Sequence, residues 1–274
     1  MRPPALEPRT RAPPERRVAE VTRVHEVGAY TVVSALDREG PRDPQPGQFY
    51  MLATAERWGG GDGGRPYLPR AFSYARARPS DVGTELEFLL EDVGPGTARL
   101  AELRTGEGLA VVGPLGLGFR VGGGGRPLLV GGGIGAAPLL CLAEAIGPEA
   151  EVMLGFRSAA HAAAAELFPG EPALATDDGS RGHAGLVTDF LRDALAGRPD
   201  DAVVYACGPA PMLEAVRVLC EQTGVPGQLA LESGMACGYG ACFGCVVETK
   251  DGYIRLCVDG PVLDADQLTH VPAH

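Results

Sequence analysis

Four cysteines near the C-terminal end of the chain limit what it can fold around. Cys237, Cys242, Cys245 and Cys257 follow the spacing C-x4-C-x2-C-x11-C, and glycines lie close to them in the sequence. Three thiolates on one short loop, with a fourth from a later segment, is the spacing of plant-type [2Fe-2S] ligation. Glycine suits such a loop, because the backbone must take unusual φ and ψ values and aim N–H groups at anionic sulfur. The pattern therefore predicts that these four cysteines bind a metal cluster.

Structural zinc is the competing interpretation of this loop. Zinc sites generally use two separated C-x2-C pairs, whereas this loop has one such pair and spacings of four and eleven. The spacing favours an iron–sulfur cluster over a zinc-stabilised interaction module with no redox role. A disulfide framework fits less well, because seven cysteines is an odd number and the other three, Cys141, Cys207 and Cys220, are scattered. This use of cysteine is typical of a reducing compartment, so we expect a cytoplasmic protein.

Length and charge narrow the class of protein further. A chain of 274 residues is long enough for two ordinary domains and a small appendage. The formal net charge of −11 argues against nucleic acid or an anionic membrane surface as a partner, since both attract basic proteins. The longest uncharged stretch, 127–143, is too short and too rich in glycine to span a bilayer. We therefore expect no nucleic-acid partner and no membrane span.

The order of β-type and helix-type segments divides the chain into four parts. Residues 1–17 are rich in proline and arginine and are predicted to be a disordered extension. Residues 18–122 contain many short β-type runs with turn signals, which is typical of an antiparallel β-barrel. Residues 123–225 alternate strand and helix, which predicts a parallel sheet covered by helices. Residues 226–274 carry the cysteine cluster and are predicted to form a small third module.

Two strand ends of the second domain are candidates for ligand binding. VGGGIGAAP (130–138) leaves a buried strand through a glycine turn, where backbone N–H groups can receive a pyrophosphate, although tight packing explains such a turn equally well. ACGP (206–209) ends a later strand at the same edge of the sheet, and no general base stands beside its cysteine. Asp177 and Asp178 end another strand and fit a ribose contact or, more simply, a turn. The candidate residues are Gly132, Gly133, Gly135, Cys207, Gly208 and Pro209.

A lone arginine marks a candidate site in the barrel. Arg70 lies in the apolar run LPRAFSYA, within a segment predicted as one strand over 68–77, where a cation needs water or an anionic partner. An edge arginine that points to water is the alternative. VGPGTARL (93–100) supports a phosphate site, because Gly96 opens a short helix and Thr97 can cap it.

Together these segments resemble the ferredoxin–NADP reductase superfamily, and within it the electron-transfer subunits of NAD-dependent dihydroorotate dehydrogenase. The resemblance covers about residues 18–264 and is carried by LESGMACGYGACFGCVV, RLCVDGPV, LVGGGIGAAPLL, TDDGS and ACGPAPML. It implies a mixed α+β and α/β fold. The implied parts are an antiparallel β-barrel that binds FAD, a parallel-sheet domain that binds NAD, and a small C-terminal [2Fe-2S] module.

The resemblance also implies roles for particular residues. RAFS matches the flavin motif of the family, so Arg70 would bind the FAD phosphates and Phe72 and Ser73 would line the flavin ring. Ala71 stands where proline is usual and Glu91 where a basic residue is usual, and the second departure argues against a contact from the Glu91 side chain to FAD. The implied FAD residues are Arg70, Ala71, Phe72, Ser73, Leu89, Leu90, Glu91, Gly96 and Thr97. The implied NAD residues are Gly132, Gly133, Gly135, Cys207, Gly208 and Pro209.

The activity that the resemblance implies is an electron relay in pyrimidine (UMP) biosynthesis. A partner subunit would oxidise dihydroorotate on its FMN, and electrons would pass through the [2Fe-2S] cluster and FAD to NAD. The implied assembly is a heterotetramer with two copies of each subunit, and this chain would supply no catalytic acid or base. The alternative is an NAD(P)H oxidoreductase subunit that serves a ferredoxin, a hydrogenase or a sulfur-reducing partner. The pairing of ACGYGACFGC with CVDGPV favours the first.

Overall fold

The structure, a computed structural model, describes residues 15–59, 66–122, 124–197 and 201–272. Its first part is a sheet of seven strands with one helix. The elements are β1 (Arg16–Val27), β2 (Tyr30–Asp37), β3 (Phe49–Thr54), β4 (Arg70–Ser73), β5 (Arg76–Ser80), β6 (Gly83–Leu90), α1 (Pro95–Ala101) and β7 (Gly108–Leu115). The strands lie in the order β4-β3-β7-β1-β2-β6-β5, and every neighbouring pair is antiparallel, as predicted.

The two edge strands of this sheet are consecutive in sequence, so the sheet must curl to bring its edges together. Only Tyr74 and Ala75 separate β4 from β5, a gap that extended chain spans in about 10 Å. The prediction of a single strand over 68–77 is therefore wrong. The chain bends because the Tyr74 side chain is buried in the barrel core, where its hydroxyl donates a hydrogen bond to the carbonyl of Pro44 (2.6 Å).

The first strand starts earlier than the sequence suggests. β1 begins at Arg16, so the extension predicted for 1–17 is too long, and residues 1–14 lie outside the described residues. Arg17 is buried and forms an ion pair with Asp37 at the end of β2, with one N–O distance of 2.8 Å. Its guanidinium also donates to the carbonyl of Gly113 in β7 (2.7 Å). Arg17 therefore joins three strands, because the paired carboxylate offsets the cost of burying the cation.

The second sheet also has seven strands. Its first elements are β8 (Arg126–Gly132), a 3-10 turn (Gly133–Gly135), α2 (Ala136–Ile146), β9 (Glu151–Phe156), α3 (Ala159–Ala162), β10 (Ala173–Thr176), β11 (His183–Ala184), α4 (Val187–Gly197), β12 (Ala202–Cys207), α5 (Ala210–Thr223) and β13 (Gly227–Ala230). The strands up to β13 are all parallel, as predicted. Val187, Leu191 and Leu195 recur at intervals of four and are buried, so they give α4 one apolar face against the sheet.

The C-terminal segment forms a separate module only in part. The boundary predicted between residues 225 and 226 is wrong, because β13 pairs with β12, and β16 (Val262–Asp264) pairs antiparallel with β13. Leu229 and Leu263 lie opposite each other in this ladder and are buried, so the sheet covers apolar residues that a small module would expose. Between these two strands lie a loop and three elements. They are β14 (Val246–Thr249), β15 (Gly252–Arg255) and α6 (Leu256–Asp259).

Buried side chains connect the barrel, the second sheet and the cysteine segment. Met51 and Leu115 of the barrel belong to the same hydrophobic cluster as Leu229 of β13, and Cys245 and Cys257 belong to it as well. The cysteine segment therefore packs on both domains at once. No helix among the described residues is long and apolar enough to cross a membrane.

Loss of the Asp37 charge is expected to destabilise the barrel. Asp37→Asn leaves the Arg17 cation buried without its counterion, which should lower the free energy of unfolding by ~3 kcal/mol. Urea denaturation followed by the fluorescence of Trp58, the single tryptophan, measures the change because Trp58 packs on the barrel core. Glu20→Gln is the matched control, since its ion pair with Arg38 is more than half exposed on both sides. Equal effects of the two changes would contradict the structural role of the buried pair.

Candidate functional site

The carboxyl ends of β8 and β12 meet where the winding of the second sheet reverses. The strand order is β11-β10-β9-β8-β12-β13-β16, so the chain winds one way from β8 and the other way from β12. Open α/β sheets bind ligands at this point, because the two loops diverge and leave a crevice. A Cβ atom on Gly135 would lie 2.3 Å from the carbonyl oxygen of Cys207, so only glycine lets the turn after β8 pack on the end of β12. The structure thus brings together the two strand ends that the sequence singled out.

A cavity of about 600 Å³ opens beside these strand ends, and we call it the sheet-edge cavity. Four of the residues predicted for NAD line it: Gly132, Gly133, Gly208 and Pro209. The barrel closes its other side with Tyr30 and Glu91. Further lining residues that the sequence did not single out are Arg157, His161, Met212 and Glu232.

A second cavity, of about 210 Å³, lies between the barrel and the second domain, and we call it the interdomain cavity. Four residues predicted for FAD line it: Ala71, Phe72, Ser73 and Leu89. Gly135 and Cys207, predicted for NAD, also line this cavity rather than the sheet-edge cavity. Ile134 and Glu232 line both cavities, so the two cavities share a wall.

Arg70 lies beside the start of α1, as a phosphate site requires. A Cβ atom on Gly96 would lie 2.5 Å from Nε of Arg70, so the guanidinium packs directly on the glycine backbone. Arg70 also donates a hydrogen bond to the carbonyl of Leu68 (2.6 Å). The Thr97 hydroxyl accepts hydrogen bonds from the backbone N–H groups of Val93 (2.9 Å) and Gly94 (3.0 Å) and so fixes the turn. Arg70, Gly96 and Thr97 therefore form one unit at the edge of the barrel.

Two of the residues predicted for FAD point elsewhere. Leu90 is buried in the barrel core, because successive residues of β6 face opposite sides and Leu89 already faces the interdomain cavity. Glu91 faces the sheet-edge cavity, where it forms an ion pair with Arg157 and lies 3.4 Å from Nε2 of His161. The Leu90 side chain therefore points away from the interdomain cavity, and Glu91 faces the other cavity. The predicted contact of these two residues with FAD stays a prediction.

The four cysteines lie close together as two pairs. The Sγ atoms of Cys245 and Cys257 are 3.2 Å apart, and the backbone N–H of Cys257 donates to Sγ of Cys245 (3.4 Å). Cys237 and Cys242 form the other pair. Burial raises the pKa of Cys237, but hydrogen bonds from Cys242 and from backbone N–H groups of the loop outweigh it and lower the pKa to about 6. These hydrogen bonds stabilise the thiolate of Cys237, the form that binds metals, whereas burial and then the Cys245 thiol raise the pKa of Cys257 to about 12.

The pairing of the thiols fits a cluster of two irons. In the part of the chain that the structure describes, no three His, Cys, Asp or Glu side chains converge as a single metal ion requires. In [2Fe-2S] clusters four thiolates are shared between two irons, so two adjacent pairs are the expected arrangement.

The cysteine loop has a buried side and an exposed side. Cys245 and Cys257 are buried, whereas Cys242 is exposed together with its neighbour Phe243, which is 64% exposed. Tyr239 adds a second exposed aromatic side chain. On the inner side, Met235 lines the interdomain cavity two residues before Cys237. The loop therefore runs from that cavity to the protein surface.

Some lining residues could have been found from the sequence and others could not. Glu232, Ser233 and Met235 directly follow β13, so the rule that ligands bind at strand ends points to them. Arg157 follows β9 and satisfies the same rule. Tyr30 comes from a barrel hairpin whose position over the second sheet is a tertiary contact with no local signal.

The chain shares its fold with reductases of the ferredoxin–NADP reductase class. A solved structure of an NADH-dependent reduced ferredoxin-NADP oxidoreductase matches with a TM-score of 0.77 and 24% identity, over 93% of this chain and 90% of that chain. A ferredoxin reductase in carbazole 1,9a-dioxygenase matches with a TM-score of 0.65 and 25% identity, over 78% of this chain and 67% of that chain. These matches establish the fold.

Sequence comparisons identify the family within this class. The model of the iron-sulfur cluster binding domain of dihydroorotate dehydrogenase B matches residues 232–269. The dihydroorotate dehydrogenase B (NAD(+)) electron transfer subunit of Caldanaerobacter subterraneus subsp. tengcongensis is 36% identical over 233 residues, 83% of this chain and 88% of that protein. The subunit of Bacillus caldolyticus is 39% identical over 236 residues, 82% of this chain and 86% of that protein. The chain belongs to the family of dihydroorotate dehydrogenase B electron transfer subunits, which confirms the resemblance found in the sequence.

A methyl group on Gly96 is expected to weaken FAD binding. In Gly96→Ala the new Cβ atom would overlap Nε of Arg70 and push the guanidinium away from the turn. Loss of one charge-assisted contact to a phosphate should lower the affinity for FAD by about tenfold or more, measured by fluorescence titration of the apoprotein. Gly94→Ala is the matched control, because a Cβ there meets no atom within 4 Å. An unchanged affinity for FAD in Gly96→Ala would show that Arg70 does not contribute to FAD binding.

Proposed function

We propose that this chain relays electrons between a dihydroorotate dehydrogenase catalytic subunit and NAD, in pyrimidine biosynthesis. The observation that carries the proposal is the continuous path from one cavity to the next and on to the cysteine loop. The sheet-edge cavity and the interdomain cavity share Ile134 and Glu232, and Met235 connects the interdomain cavity to Cys237. Membership of the electron transfer subunit family supports the same function.

The interdomain cavity and the edge of the barrel are suited to FAD. Phe72 and Leu89 offer apolar contact for a flavin ring, and the Ser73 hydroxyl and the backbone around it offer polar contact. Arg70, beside the turn that Thr97 fixes, would hold the FAD phosphates. Gly96 leaves room for the guanidinium next to the helix.

The sheet-edge cavity is suited to a nicotinamide dinucleotide. It is lined by the carboxyl ends of β8 and β12, where the winding of the sheet reverses. A ligand there can contact the backbone of Gly132 and Gly133. Gly208 and Pro209 would hold the nicotinamide end near the wall shared with the other cavity. Hydride transfer needs reacting atoms within about 3.5 Å, so the proposed reaction requires adjoining cavities, and these two share Ile134 and Glu232.

The cysteine loop would hold a [2Fe-2S] cluster at Cys237, Cys242, Cys245 and Cys257. The bound cluster would carry single electrons, and FAD would combine two of them with a proton into the hydride that NAD takes up. The chain's own residues position these groups, exclude water with the apolar walls of the interdomain cavity, and supply no acid or base. Cys207 fits this account, because its burial raises the pKa of the thiol well above the usual value and keeps it neutral.

Each cofactor is thereby assigned to one part of the chain. We assign FAD to the barrel, residues 15–122, and NAD to the second sheet, which includes β13 and β16. The cluster belongs to the segment between those two strands. The exposed side of the loop, with Cys242, Phe243 and Tyr239, is the face we assign to an FMN-containing catalytic subunit, in an assembly of two copies of each.

The proposed function is tested on this chain co-expressed with a dihydroorotate dehydrogenase catalytic subunit. Iron, sulfide and flavin are quantified on the purified complex, and reduction of NAD by dihydroorotate is followed at 340 nm. The complex should reduce NAD, whereas the catalytic subunit alone should not. Zinc in place of iron, or NAD reduction that persists without this chain, would contradict the proposal.

Replacement of the exposed cysteine Cys242 should stop electron transfer through the cluster but leave electron transfer from NADH to FAD. Cys242→Ser is expected to abolish the visible absorbance of the cluster and the reduction of NAD by dihydroorotate in the complex. NADH oxidation with ferricyanide should remain, because it needs only the two cavities. Cys220→Ala is the matched control, since Cys220 is a buried cysteine of α5 outside the four-cysteine loop, and the change should leave both activities intact. Loss of the ferricyanide activity in Cys242→Ser would show that the cluster also holds the flavin site together.

A further inference from the structure

The sheet-edge cavity contains an ion pair that the proposed relay does not use. Glu91 directly follows β6 of the barrel and Arg157 directly follows β9 of the second sheet, and their side chains pair across the domain boundary. In a β-α-β nucleotide-binding unit such as β8-α2-β9, the end of the second strand lies at the ribose of the adenosine. An arginine near that ribose accommodates the 2′-phosphate that distinguishes NADP from NAD. The pair therefore lies where the two dinucleotides differ.

The charges around Arg157 disfavour binding of the additional 2′-phosphate that NADP carries. Arg157 is the only lysine or arginine among the described residues that line the cavity, while Glu91, Asp177 and Glu232 place three carboxylates there. Burial, and then the Arg157 charge, lower the pKa of His161, so its ring adds no positive charge at neutral pH. A phosphate monoester would bring a charge of about −1.5 to −2 into this acidic cavity.

Glu91 is held more firmly than Arg157. Its side chain is 21% exposed and lies between Arg157 and Nε2 of His161. The His161 ring is itself fixed by a hydrogen-bond contact between Nδ1 and the Ser158 hydroxyl (2.8 Å) and by the edge of the Tyr30 ring (5.6 Å between centroids). Arg157, by contrast, is 60% exposed. To bind a ligand, its guanidinium must break the ion pair with Glu91, whose carboxylate stays in place.

We infer that Glu91 selects NAD(H) over NADP(H) by occupying Arg157. The inference rests on the proposed function, which assigns the sheet-edge cavity to the dinucleotide. Glu91 acts through Arg157 and is therefore a positioning residue. Without its carboxylate, Arg157 is free to bind a 2′-phosphate, the group that NADP(H) carries and NAD(H) lacks.

The experiment compares NADH and NADPH as electron donors to ferricyanide, with the FAD-loaded full chain. In Glu91→Gln the value of kcat/KM for NADPH should rise by about tenfold or more relative to that for NADH, as expected for one new hydrogen bond to a charged group. The double variant Glu91→Gln with Arg157→Gln should lose this gain. Inhibition by adenosine 2′,5′-bisphosphate should strengthen in Glu91→Gln as well, while inhibition by 5′-AMP should not.

Glu144→Gln is the matched control. Glu144 pairs with Arg76 across the same domain boundary (2.5 Å), but it lines neither cavity. It removes the same charge and should leave the ratio of NADPH to NADH efficiency unchanged. An unchanged ratio in Glu91→Gln, a gain that persists in the double variant, or an equal gain in Glu144→Gln would each overturn the inference.

Two further results keep the inference separate from the proposed function. If Glu91→Gln does not fold, Arg157→Gln decides, because Arg157 is exposed and its loss should leave NADPH efficiency nearly unchanged. A tenfold fall there would show that Arg157 already serves the 2′-phosphate, and would overturn the selection by Glu91. Failure of the unaltered chain to oxidise NADH would overturn the proposed function, and the inference with it.

Discussion

The packing of Gly135 against the carbonyl of Cys207 is the contact on which the site depends. It holds the turn after β8 against the end of β12, and this places Ile134 in the wall between the two cavities. Any side chain at position 135 would separate the strand ends. In the proposed relay, their separation would also move the flavin and the dinucleotide apart, whereas hydride transfer needs close approach. The packing of the two strand ends requires glycine at this position.

The cysteine loop is anchored to the same sheet at both ends. It leaves β13, passes Met235 in the interdomain cavity, and returns through α6 to β16, which pairs with β13. Buried Cys245 and Cys257 join the hydrophobic cluster that contains Met51 of the barrel. The inner side of the loop is thus fixed relative to both domains, while its outer side is left to a partner.

Local sequence patterns predicted the parts of the site that depend on local geometry. The cysteine spacing and the glycine turn after β8 are signals carried by a few neighbouring residues, and the structure places that turn against the end of β12. It divides the residues predicted for NAD, however, because Gly135 and Cys207 line the interdomain cavity. The direction of the Leu90 side chain could not be predicted, because the choice of face in β6 depends on what packs on each side of the strand. The domain boundary after residue 225 is wrong because β16 must return from far along the chain to cover β13. The orientation of Glu91 depends on the docking of the barrel onto the second sheet, which no local pattern encodes.

The central claim is that electrons pass between the sheet-edge cavity and the cysteine loop only through the interdomain cavity. Anaerobic addition of NADH, followed by electron paramagnetic resonance, tests this most directly on the full chain with its cluster intact. With FAD bound, the signal of a reduced [2Fe-2S] cluster should appear; after removal of FAD it should be absent and should return on reconstitution. Reduction of the cluster by NADH without FAD, or no reduction with FAD present, would contradict the claim.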